Sequence, residues 1–419
     1  MQYRVDKKTG RKLSVLGLGC MRFPRTIAGI DMKKAEGIIM AAVEGGVNYF
    51  DTAWMYQGSE EALGAVLEKN RIRDRVFIAS KLPVVLVKKP EDFGRFFGEE
   101  LRRLRTDCID YYLMHMLTGL ASWEKLTGMG IEGWIASEKK SGRIGQIGFS
   151  FHGAAGEFLK ILDAYPWEFC QIQYNYSDEH FQAGIGGLKK AAETMPVIIM
   201  EPLLGGKLAQ GLPREALDIF RAFPRNGSGG AGAGPEKGRP CPAVYSPAAW
   251  GLRWVWNHPE AAVVLSGMSD SRQVEENAAL ADNCAAGSLT AEELDVYRRV
   301  REVFNASCRV RCTGCGYCMP CPRHVNIPGC FAAYNTSFFM GWMAGMQQYM
   351  TSAAFAFENS FGPGNCIACG KCETCCPQKI PIIAGLRELR KRMEPLPVRI
   401  VIAAMRKFLG RKRRSTPAA

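Results

Sequence analysis

The sequence predicts an α/β protein in which a (β/α)8 TIM barrel is followed by a small, mostly α-helical, cysteine-rich domain. From residue 15 to about residue 280, short apolar runs alternate with segments of helical periodicity, the pattern of strand and helix units around a parallel sheet. Eleven of the sixteen cysteines fall between Cys308 and Cys376, after the last predicted barrel helix. With 419 residues, 47% of them hydrophobic, the chain can bury one large core and a second, smaller one.

Eight apolar runs are the candidate barrel strands. In chain order they read LGLGC, VNYFD, VFIAS, CIDYYLMH, GQIGFS, FCQIQYN, PVIIM and AAVVLSG. Eight strands that alternate with helices favour a closed barrel over an open sheet. The amphipathic segments Met32–Glu44, Glu60–Lys69 and Ser271–Ala281 are expected in the outer ring of helices.

Three domains are predicted: the barrel at 1–305, the cysteine-rich domain at 306–390 and a basic tail at 391–419. The helix TAEELDVYRRVREVF precedes the first boundary. The Gly- and Pro-rich stretch Arg225–Pro242 has almost nothing to bury and is expected to form a mobile surface loop. The apolar stretch Phe338–Met346 is shorter than the roughly 20 residues of a membrane span and is predicted to be a buried helix.

The two ends of the chain bear on location and partners. The start, MQYRVDKKTGRKLSVLG, has no apolar run behind its charges, so no secretory or transit signal is expected and the predicted location is cytoplasmic. Cytosolic thiols stay reduced, so sixteen cysteines indicate metal or redox chemistry. Much of the excess in the net charge of +13 lies in Arg406–Arg414, interpreted as a solvated end, with acidic lipid or an acidic protein as alternatives and no nucleic acid expected.

Four residues that can move a proton lie at or after the ends of three successive predicted strands, where barrels of this kind carry active residues: Asp51, Tyr56, Lys81 and His115. Tyrosine, with an ordinary pKa of about 10, is a weak acid near neutrality unless a cation stabilises its phenolate. Lys81 can supply that cation, and Asp51 can keep the lysine charged. His115 can orient a carbonyl or relay a proton. The set predicts proton donation to a carbonyl oxygen, with electrons from a cofactor.

At these residues the chain resembles the aldo-keto reductases, over roughly residues 13 to 285. FDTAWMYQGSEEALG carries the family's Asp and Tyr five residues apart, with its Ser-Glu-x-x-Leu-Gly continuation. The resemblance implies that Asp51, Tyr56, Lys81 and His115 form the catalytic tetrad, with Tyr56 as the general acid. It also implies a nicotinamide cofactor and a small carbonyl or alcohol substrate, whose identity the sequence does not reveal.

The resemblance further implies which residues contact the cofactor. GFSFHG and QIQYN offer Ser150 and Gln173 for the nicotinamide amide. Phe151 replaces the Asn that usually follows the serine, and Met200 stands where many members stack an aromatic ring. The strap over the pyrophosphate, in IIMEPLLGGKL, is expected to include Pro202, Leu203, Gly205 and Lys207.

The stretch LSGMSDSRQVEENA resembles the adenosine-phosphate site that follows the eighth strand in this family. The contacts implied there are Gly267, Ser269, Arg272, Gln273, Glu276 and Asn277. Backbone amides at the start of the helix from Ser271 favour an anion. Gln273 replaces the usual arginine for the 2'-phosphate, but Arg272 is adjacent, so NADPH is favoured over NADH.

Two cysteine runs carry the second chemistry: Cys312, Cys315, Cys318 and Cys321, then Cys366, Cys369, Cys372 and Cys376. The second run has the C-x2-C-x2-C-x3-C-P spacing of bacterial ferredoxins, whereas zinc ribbons use pairs of C-x2-C, so iron-sulfur is favoured over zinc and over unligated cysteine.

In two-cluster ferredoxins each cluster takes three cysteines from one run and the fourth from the other. This predicts one 4Fe-4S cluster on Cys312, Cys315, Cys318 and Cys376, and another on Cys366, Cys369, Cys372 and Cys321. Only Met319 and Pro320 separate the last two cysteines of the first run, which keeps a single cluster as the alternative.

The whole chain therefore resembles aldo-keto reductases with a C-terminal 4Fe-4S ferredoxin-type domain, of the α-helical kind. We expect an NAD(P)H-dependent carbonyl reductase or alcohol dehydrogenase whose clusters exchange electrons with a ferredoxin or another redox protein. The alternative is an iron-sulfur electron-transfer or sensor protein whose barrel is a non-catalytic scaffold. No flavin motif that would couple hydride to single electrons is recognised in the barrel.

Overall fold

The computed structural model describes residues 1–223, 246–350 and 362–402. Its contacts divide the chain into two compact units, one of Met1–Leu204 and Phe223–Tyr297, the other of Gly205–Ala222 and Arg298–Ala419. Each unit has its own hydrophobic core. The expected loop at Arg225–Pro242 and the basic stretch Arg406–Arg414 lie outside the described residues.

The eight predicted strands form a closed, all-parallel barrel in the first unit, which confirms the predicted fold class. We label them β1 to β8 in chain order: Leu16–Gly19, Tyr49–Asp51, Phe77–Leu82, Ile109–Leu117, Ile144–Phe151, Phe169–Gln173, Val197–Met200 and Ala261–Ser266. Each strand pairs with the next, and β8 pairs with β1, where Val264 lies opposite Leu16. The neighbours β2, β3 and β4 therefore end on the same rim of the barrel.

Helices alternate with the strands. In chain order α1 to α16 are Met32–Glu44, Ser59–Asn70, Glu91–Leu104, Leu120–Thr127, Ile131–Lys140, Ala155–Ala164, Gly184–Ala192, Lys207–Gln210, Arg214–Ala222, Pro247–Trp256, Ser271–Ala281, Ala291–Ser307, Ile327–Phe339, Trp342–Tyr349, Lys371–Thr374 and Ile382–Met393. The predicted bounds of α1 and α11 agree with the structure. Both helices begin at a capping aspartate, because Asp31 and Asp270 each accept a hydrogen bond from a backbone amide three residues on.

Aromatic side chains fill the amino-terminal part of the barrel. The Tyr111 ring contacts Tyr49 and Phe169, each with ring centroids 5.1 Å apart. A hairpin that we did not predict, Tyr3–Val5 paired with Lys12–Ser14, precedes the barrel, and Asp6 in its turn accepts a 2.8 Å hydrogen bond from the Tyr111 hydroxyl. Aromatic side chains thus occupy the interior of the barrel below the rim at which its strands end.

The second unit is largely helical, as predicted. Its core includes Val325, Phe331 and Leu386, and the cysteines Cys312, Cys318, Cys321, Cys366 and Cys372 pack against that core. Asparagine caps α13, since Asn326 Oδ1 accepts from the Gly329 amide at 3.1 Å. The cysteine runs therefore lie on a formed hydrophobic core.

The prediction of one buried helix over Phe338–Met346 was wrong. α13 ends at Phe339 and α14 begins at Trp342, with Gly341 between them at φ 91°. This left-handed glycine divides the stretch between two helices, and Met340 and Met343 beside it are 75% and 74% exposed. Over 1–223, 246–350 and 362–402, every helix is too short or too polar to span a bilayer.

Candidate active site and cysteine groups

A buried ion pair lies at the ends of β2 and β3. Lys81 Nζ donates to Asp51 Oδ2 and to the Thr52 carbonyl oxygen, both at 2.6 Å. The side chains of Lys81 and Asp51 are 1% and 5% exposed. Burial raises the pKa of Asp51, whereas Lys81 and a hydrogen bond from Gln171 act to lower it. The pair is fixed by both Coulomb attraction and hydrogen bonding.

Tyr56 lies in the loop between β2 and α2, next to this pair. Its backbone is held in successive turns, since the Tyr56 amide donates to Ala53 and the Tyr56 carbonyl accepts from Ser59, both at 2.9 Å. The centre of the half-buried Tyr56 ring is 5.1 Å from Lys81 Nζ and 5.9 Å from the centre of the His115 ring. The structure thus brings together the four residues that were predicted to take part in proton transfer: Asp51, Tyr56, Lys81 and His115.

His115 lies near the end of β4 and is buried. Burial lowers the pKa of His115 well below its ordinary value, and the nearby Lys81 and His152 lower it further. The imidazole is therefore neutral near neutral pH and carries one N–H donor and one acceptor nitrogen. A neutral ring can hydrogen-bond a carbonyl oxygen without adding a second cation beside Lys81.

The Ser-Glu part of the sequence motif has a structural role. Ser59 Oγ lies 2.8 Å from Thr52 Oγ1 and donates to the Cys20 carbonyl at 3.0 Å. Glu60, 1% exposed, accepts from Ser80 Oγ at 2.5 Å and pairs with Arg103 at 3.2 Å. These bonds join the start of α2, just after the loop of Tyr56, to Thr52, to the Cys20 carbonyl and to Ser80, the chain neighbour of Lys81.

The two residues expected at the nicotinamide amide already have protein partners. Ser150 Oγ accepts a 2.8 Å hydrogen bond from the Met116 amide. Gln173 donates to Asp178 Oδ2 at 2.9 Å and accepts from Gln182 at 3.2 Å. Both side chains are buried. The Ser150 hydroxyl accepts in its contact with the Met116 amide, and its own hydrogen remains a donor.

The expected strap follows β7. Pro202 and Leu203 come first, and Gly205 has a left-handed backbone with φ 66°. Lys207 begins α8, and its Nζ is buried with no hydrogen-bond partner among the described residues. A buried ammonium without a partner is costly, so this nitrogen suits an anionic ligand.

All six residues expected on the adenosine side lie in the loop after β8 or in α11: Gly267, Ser269, Arg272, Gln273, Glu276 and Asn277. Gln273 folds back so that its Oε1 accepts from the Ser269 amide at 3.0 Å. The side chain of Arg272 is 85% exposed and pairs with Glu276 at 2.9 Å. Arg272 therefore presents an accessible cation, whereas the neutral Gln273 side chain is turned toward the Ser269 amide.

Two side chains near the tetrad were not identified from the sequence. Gln171, on β6, hydrogen-bonds Asp51. His152, directly after β5, lies with Nδ1 3.2 Å from Gln182 Oε1 and is buried. The only sequence signal for His152 is its place in GFSFHG, two residues after Ser150.

The cysteines form two groups that mix the two runs. The first is centred on Cys318, whose pKa is raised to about 12 by burial and then by neighbouring Cys312, Cys315 and Cys376. The second surrounds a cavity of about 200 Å³ whose lining includes Cys321, Cys366, Cys369, Cys372 and the additional Cys375, and which Cys318 of the first group also borders.

Electrostatic contacts support the second group as well. Burial and then Glu373 raise the pKa of Cys372 to about 11, with further contributions from Cys366 and Cys321. Within the described ranges, no three His, Cys, Asp or Glu side chains are close enough to hold a single metal ion. A 4Fe-4S cluster binds each cysteine through a different iron atom, so its four sulfurs lie further apart than the ligands of one ion.

Known proteins resemble both parts of the chain. The aldo/keto reductase family model matches residues 15–218, and the 4Fe-4S dicluster domain model matches residues 311–380. Aldo-keto reductase yakc of Schizosaccharomyces pombe, whose name carries NADP(+), is 25% identical over 202 residues, 45% of this chain and 58% of yakc. Aldo-keto reductase str7 of Strobilurus tenacellus is 24% identical over 330 residues, 71% of this chain and 91% of str7.

Solved structures share the barrel. Aldo-keto reductase AKR11C1 from Bacillus halodurans, in its holo form, has a TM-score of 0.54 at 24% identity and covers 72% of this chain and 96% of its own. At that identity the likeness concerns the fold. The two family matches lead to one conclusion: residues 15–218 of this chain carry a match to the aldo/keto reductase family, and residues 311–380 carry a match to the 4Fe-4S dicluster domain.

Proposed function

We propose that the protein reduces a small aldehyde or ketone, or oxidises the corresponding alcohol, with NADPH as the hydride carrier and Tyr56 as the proton donor. The observation that carries the proposal is the arrangement around Lys81. Its Nζ is 2.6 Å from Asp51 Oδ2 and 5.1 Å from the centre of the Tyr56 ring. A buried, anchored cation beside a tyrosine is what a phenol needs to act as an acid near neutrality.

Each residue of the set has a defined task. The Lys81 charge stabilises the phenolate that remains after Tyr56 gives its proton to the carbonyl oxygen. Asp51 holds Lys81 in place and offsets its buried charge. Neutral His115 donates a hydrogen bond that orients the carbonyl toward Tyr56. When bound, NADPH supplies the hydride for the carbonyl carbon, and the proton on oxygen completes the alcohol.

The cofactor contacts are also a proposal. Ser150 and Gln173 would bind the nicotinamide amide, with their existing partners holding both in position. The resemblance of IIMEPLLGGKL to the strap over the pyrophosphate makes Lys207 a further candidate contact, through its ammonium group. Exposed Arg272 would take the 2'-phosphate that distinguishes NADPH from NADH. The NADP(+) in the name of the relative yakc supports the same choice.

We further propose two 4Fe-4S clusters for one-electron transfer. Cys312, Cys315, Cys318 and Cys376 would hold one, and Cys321, Cys366, Cys369 and Cys372 the other. The proximity of Cys376 to the first run and of Cys321 to the second supports this exchange of fourth ligands. We also propose the domain limits 1–305, 306–390 and 391–419. We propose the reducing cytoplasm as the location, because free thiols must be available to bind iron.

The test is a steady-state assay on anaerobically purified protein. A panel of small aldehydes and ketones is offered with NADPH and then with NADH, and the alcohols with the oxidised cofactors. We expect carbonyl-dependent NADPH oxidation and weaker activity with NADH. No turnover combined with no binding of either nucleotide would contradict the proposal and favour the non-catalytic scaffold.

A further inference from the structure

The cavity of the second cysteine group is lined partly by exposed residues. Cys369 is exposed, and the apolar side chains Met319 and Ile367 beside it are 36% and 60% exposed. Arg323 and Lys371 also line the cavity and are exposed. We call these five residues, Met319, Arg323, Ile367, Cys369 and Lys371, the cysteine face.

The cysteine face is basic. No Asp or Glu is among the described residues that line the cavity. The nearest acid in sequence is Glu373, whose Oε1 is engaged by the Ile383 amide at 2.8 Å. Across 308–350 and 362–402 the sequence has ten Lys and Arg, three before residue 351 and seven after 361, against three Glu. Positive potential at the face would attract an acidic protein and repel a basic one.

The face also has the make-up of a transient docking surface. Exposed apolar side chains beside a functional group mark interaction sites, and a charged rim sets the rate of encounter. Electron tunnelling falls off steeply with distance, so a carrier must approach the cluster closely. An exposed cysteine ligand offers the shortest route. Met319 and Ile367 offer apolar surface from which a bound carrier would exclude water. The positive charges of Arg323 and Lys371 would attract an acidic carrier during encounter.

We propose that the cysteine face is the docking site of a small, acidic, one-electron carrier protein. The inference rests on the proposed function, because it requires a 4Fe-4S cluster on Cys321, Cys366, Cys369 and Cys372. One electron passes from the reduced carrier to that cluster, so that the carrier is oxidised by one electron and the cluster reduced by one. The opposite direction of transfer uses the same surface.

The experiment uses the full chain with its clusters intact and reduced flavodoxin as the probe, an acidic carrier whose FMN hydroquinone becomes a semiquinone when it gives up one electron. Growth of the semiquinone absorbance in a stopped-flow instrument measures the transfer, at several ionic strengths. Lys371→Glu is compared with Lys391→Glu, an equally charged change at an exposed lysine that does not line the cavity. Arg323→Glu is then added to Lys371→Glu.

We expect Lys371→Glu to slow transfer about tenfold at low salt, the double variant to slow it further, and Lys391→Glu to have little effect. High salt should reduce these differences. Iron content and reduction by dithionite should stay at wild-type values. A wild-type rate in the double variant, equal effects of both lysines, or no transfer from flavodoxin to a dithionite-reducible wild type would each overturn the docking site.

Two further outcomes separate the alternatives. Loss of iron in Lys371→Glu would mean that the basic residues stabilise the cluster and do not dock a carrier. If Lys371→Glu accepts electrons at the wild-type rate but no longer binds phosphatidylserine vesicles that the wild type binds, the cysteine face contacts a lipid surface. A wild-type protein that contains no iron would instead contradict the proposed function itself.

Discussion

Lys81 Nζ lies 2.6 Å from Asp51 Oδ2, and both side chains are buried at the ends of adjacent barrel strands. Two charges removed from water in this way stabilise each other only while both are present. The same pair places a cation 5.1 Å from the Tyr56 ring. In the proposed mechanism this one contact therefore serves both stability and catalysis, and mutations can separate the two effects.

We predict that Tyr56→Phe lowers kcat for carbonyl reduction about 10²-fold to 10⁴-fold, because the variant lacks the proton donor. NADPH binding, followed by nucleotide fluorescence, should be nearly unchanged, because little surface is lost. Tyr165→Phe, a partly exposed tyrosine packed on Trp123 and Trp167, serves as the control and should keep wild-type rates. Turnover retained in Tyr56→Phe would remove Tyr56 from this role.

The ion pair gives a second prediction. Lys81→Met leaves the Asp51 carboxylate buried without its partner and should destabilise the barrel by about 3 to 5 kcal/mol. Adding Asp51→Asn should restore most of that stability, because the buried charge is gone, while activity stays absent. Urea unfolding, followed by tryptophan fluorescence, measures the free energy of unfolding of the wild type and of both variants. If the double variant is no more stable than Lys81→Met, the loss does not come from the uncompensated charge.

We predict about eight iron and eight acid-labile sulfide per chain after anaerobic purification. Cys318→Ala and Cys372→Ala should each lose about half of both, because they remove a ligand from different clusters. Cys375→Ala is the matched control, since Cys375 lines the same cavity as Cys372 but lies outside the ligand set. Zinc without sulfide would rule out iron-sulfur chemistry, and about four iron in the wild type would indicate a single cluster.

The coupling of the two parts gives a fourth prediction. Hydride transfer moves two electrons and a cluster accepts one, so NADPH alone should not bleach the cluster absorbance on the timescale of turnover. Dithionite should bleach it and is the positive control. Anaerobic stopped-flow absorbance makes the comparison. Rapid bleaching by NADPH would mean that an intermediary such as a bound flavin converts hydride into single electrons.

The fifth prediction concerns Glu100, a buried acid on α3 close to Glu60 and Tyr112. Burial and the neighbouring Glu60 raise the pKa of Glu100 well above its ordinary value, and Glu100 Oε1 has no hydrogen-bond partner among the described residues. The folded state thus binds this proton more tightly than the unfolded state. Stability from the group is complete below the unfolded pKa and is lost as pH rises through the folded pKa.

Glu100→Gln should therefore flatten the fall in Tm that the wild type shows as pH rises above the ordinary pKa of a glutamate, from about pH 5 upward. Gln keeps an acceptor for the Tyr112 hydroxyl, which donates to Glu100 Oε2 at 2.7 Å. Circular dichroism melts across that range test the prediction. The exposed Glu44→Gln is the control and should follow the wild-type curve. Parallel curves for wild type and Glu100→Gln would show that Glu100 does not titrate with folding.

The barrel could be predicted because its signals are local. Each strand is an apolar run between turn residues, and α1 and α11 begin at aspartates that cap them. The tetrad could be anticipated for the same reason, since parallel strands end on one rim and a residue at a strand end must lie there. The pairing of Lys81 with Asp51 then needs only that β2 and β3 be neighbours.

Other features depend on residues far apart in sequence. Ser150 was expected at the cofactor, but its hydroxyl also accepts from Met116, which only the packing of β4 against β5 decides. The apolar stretch at Phe338–Met346 predicted burial, but hydrophobicity does not specify which face a neighbour covers, and Gly341 interrupts the helix.

The eightfold barrel, the candidate proton-transfer residues and the two cysteine runs could all be read from the sequence, because periodicity and spacing are carried by consecutive residues. The packing of the chain reveals that Cys376 lies with the first run and Cys321 with the second, and that the Arg272 side chain is exposed while Gln273 turns back to the Ser269 amide. The physical reason is that a buried group takes its partners from whatever the packed core brings within contact. That neighbourhood is a property of the whole fold.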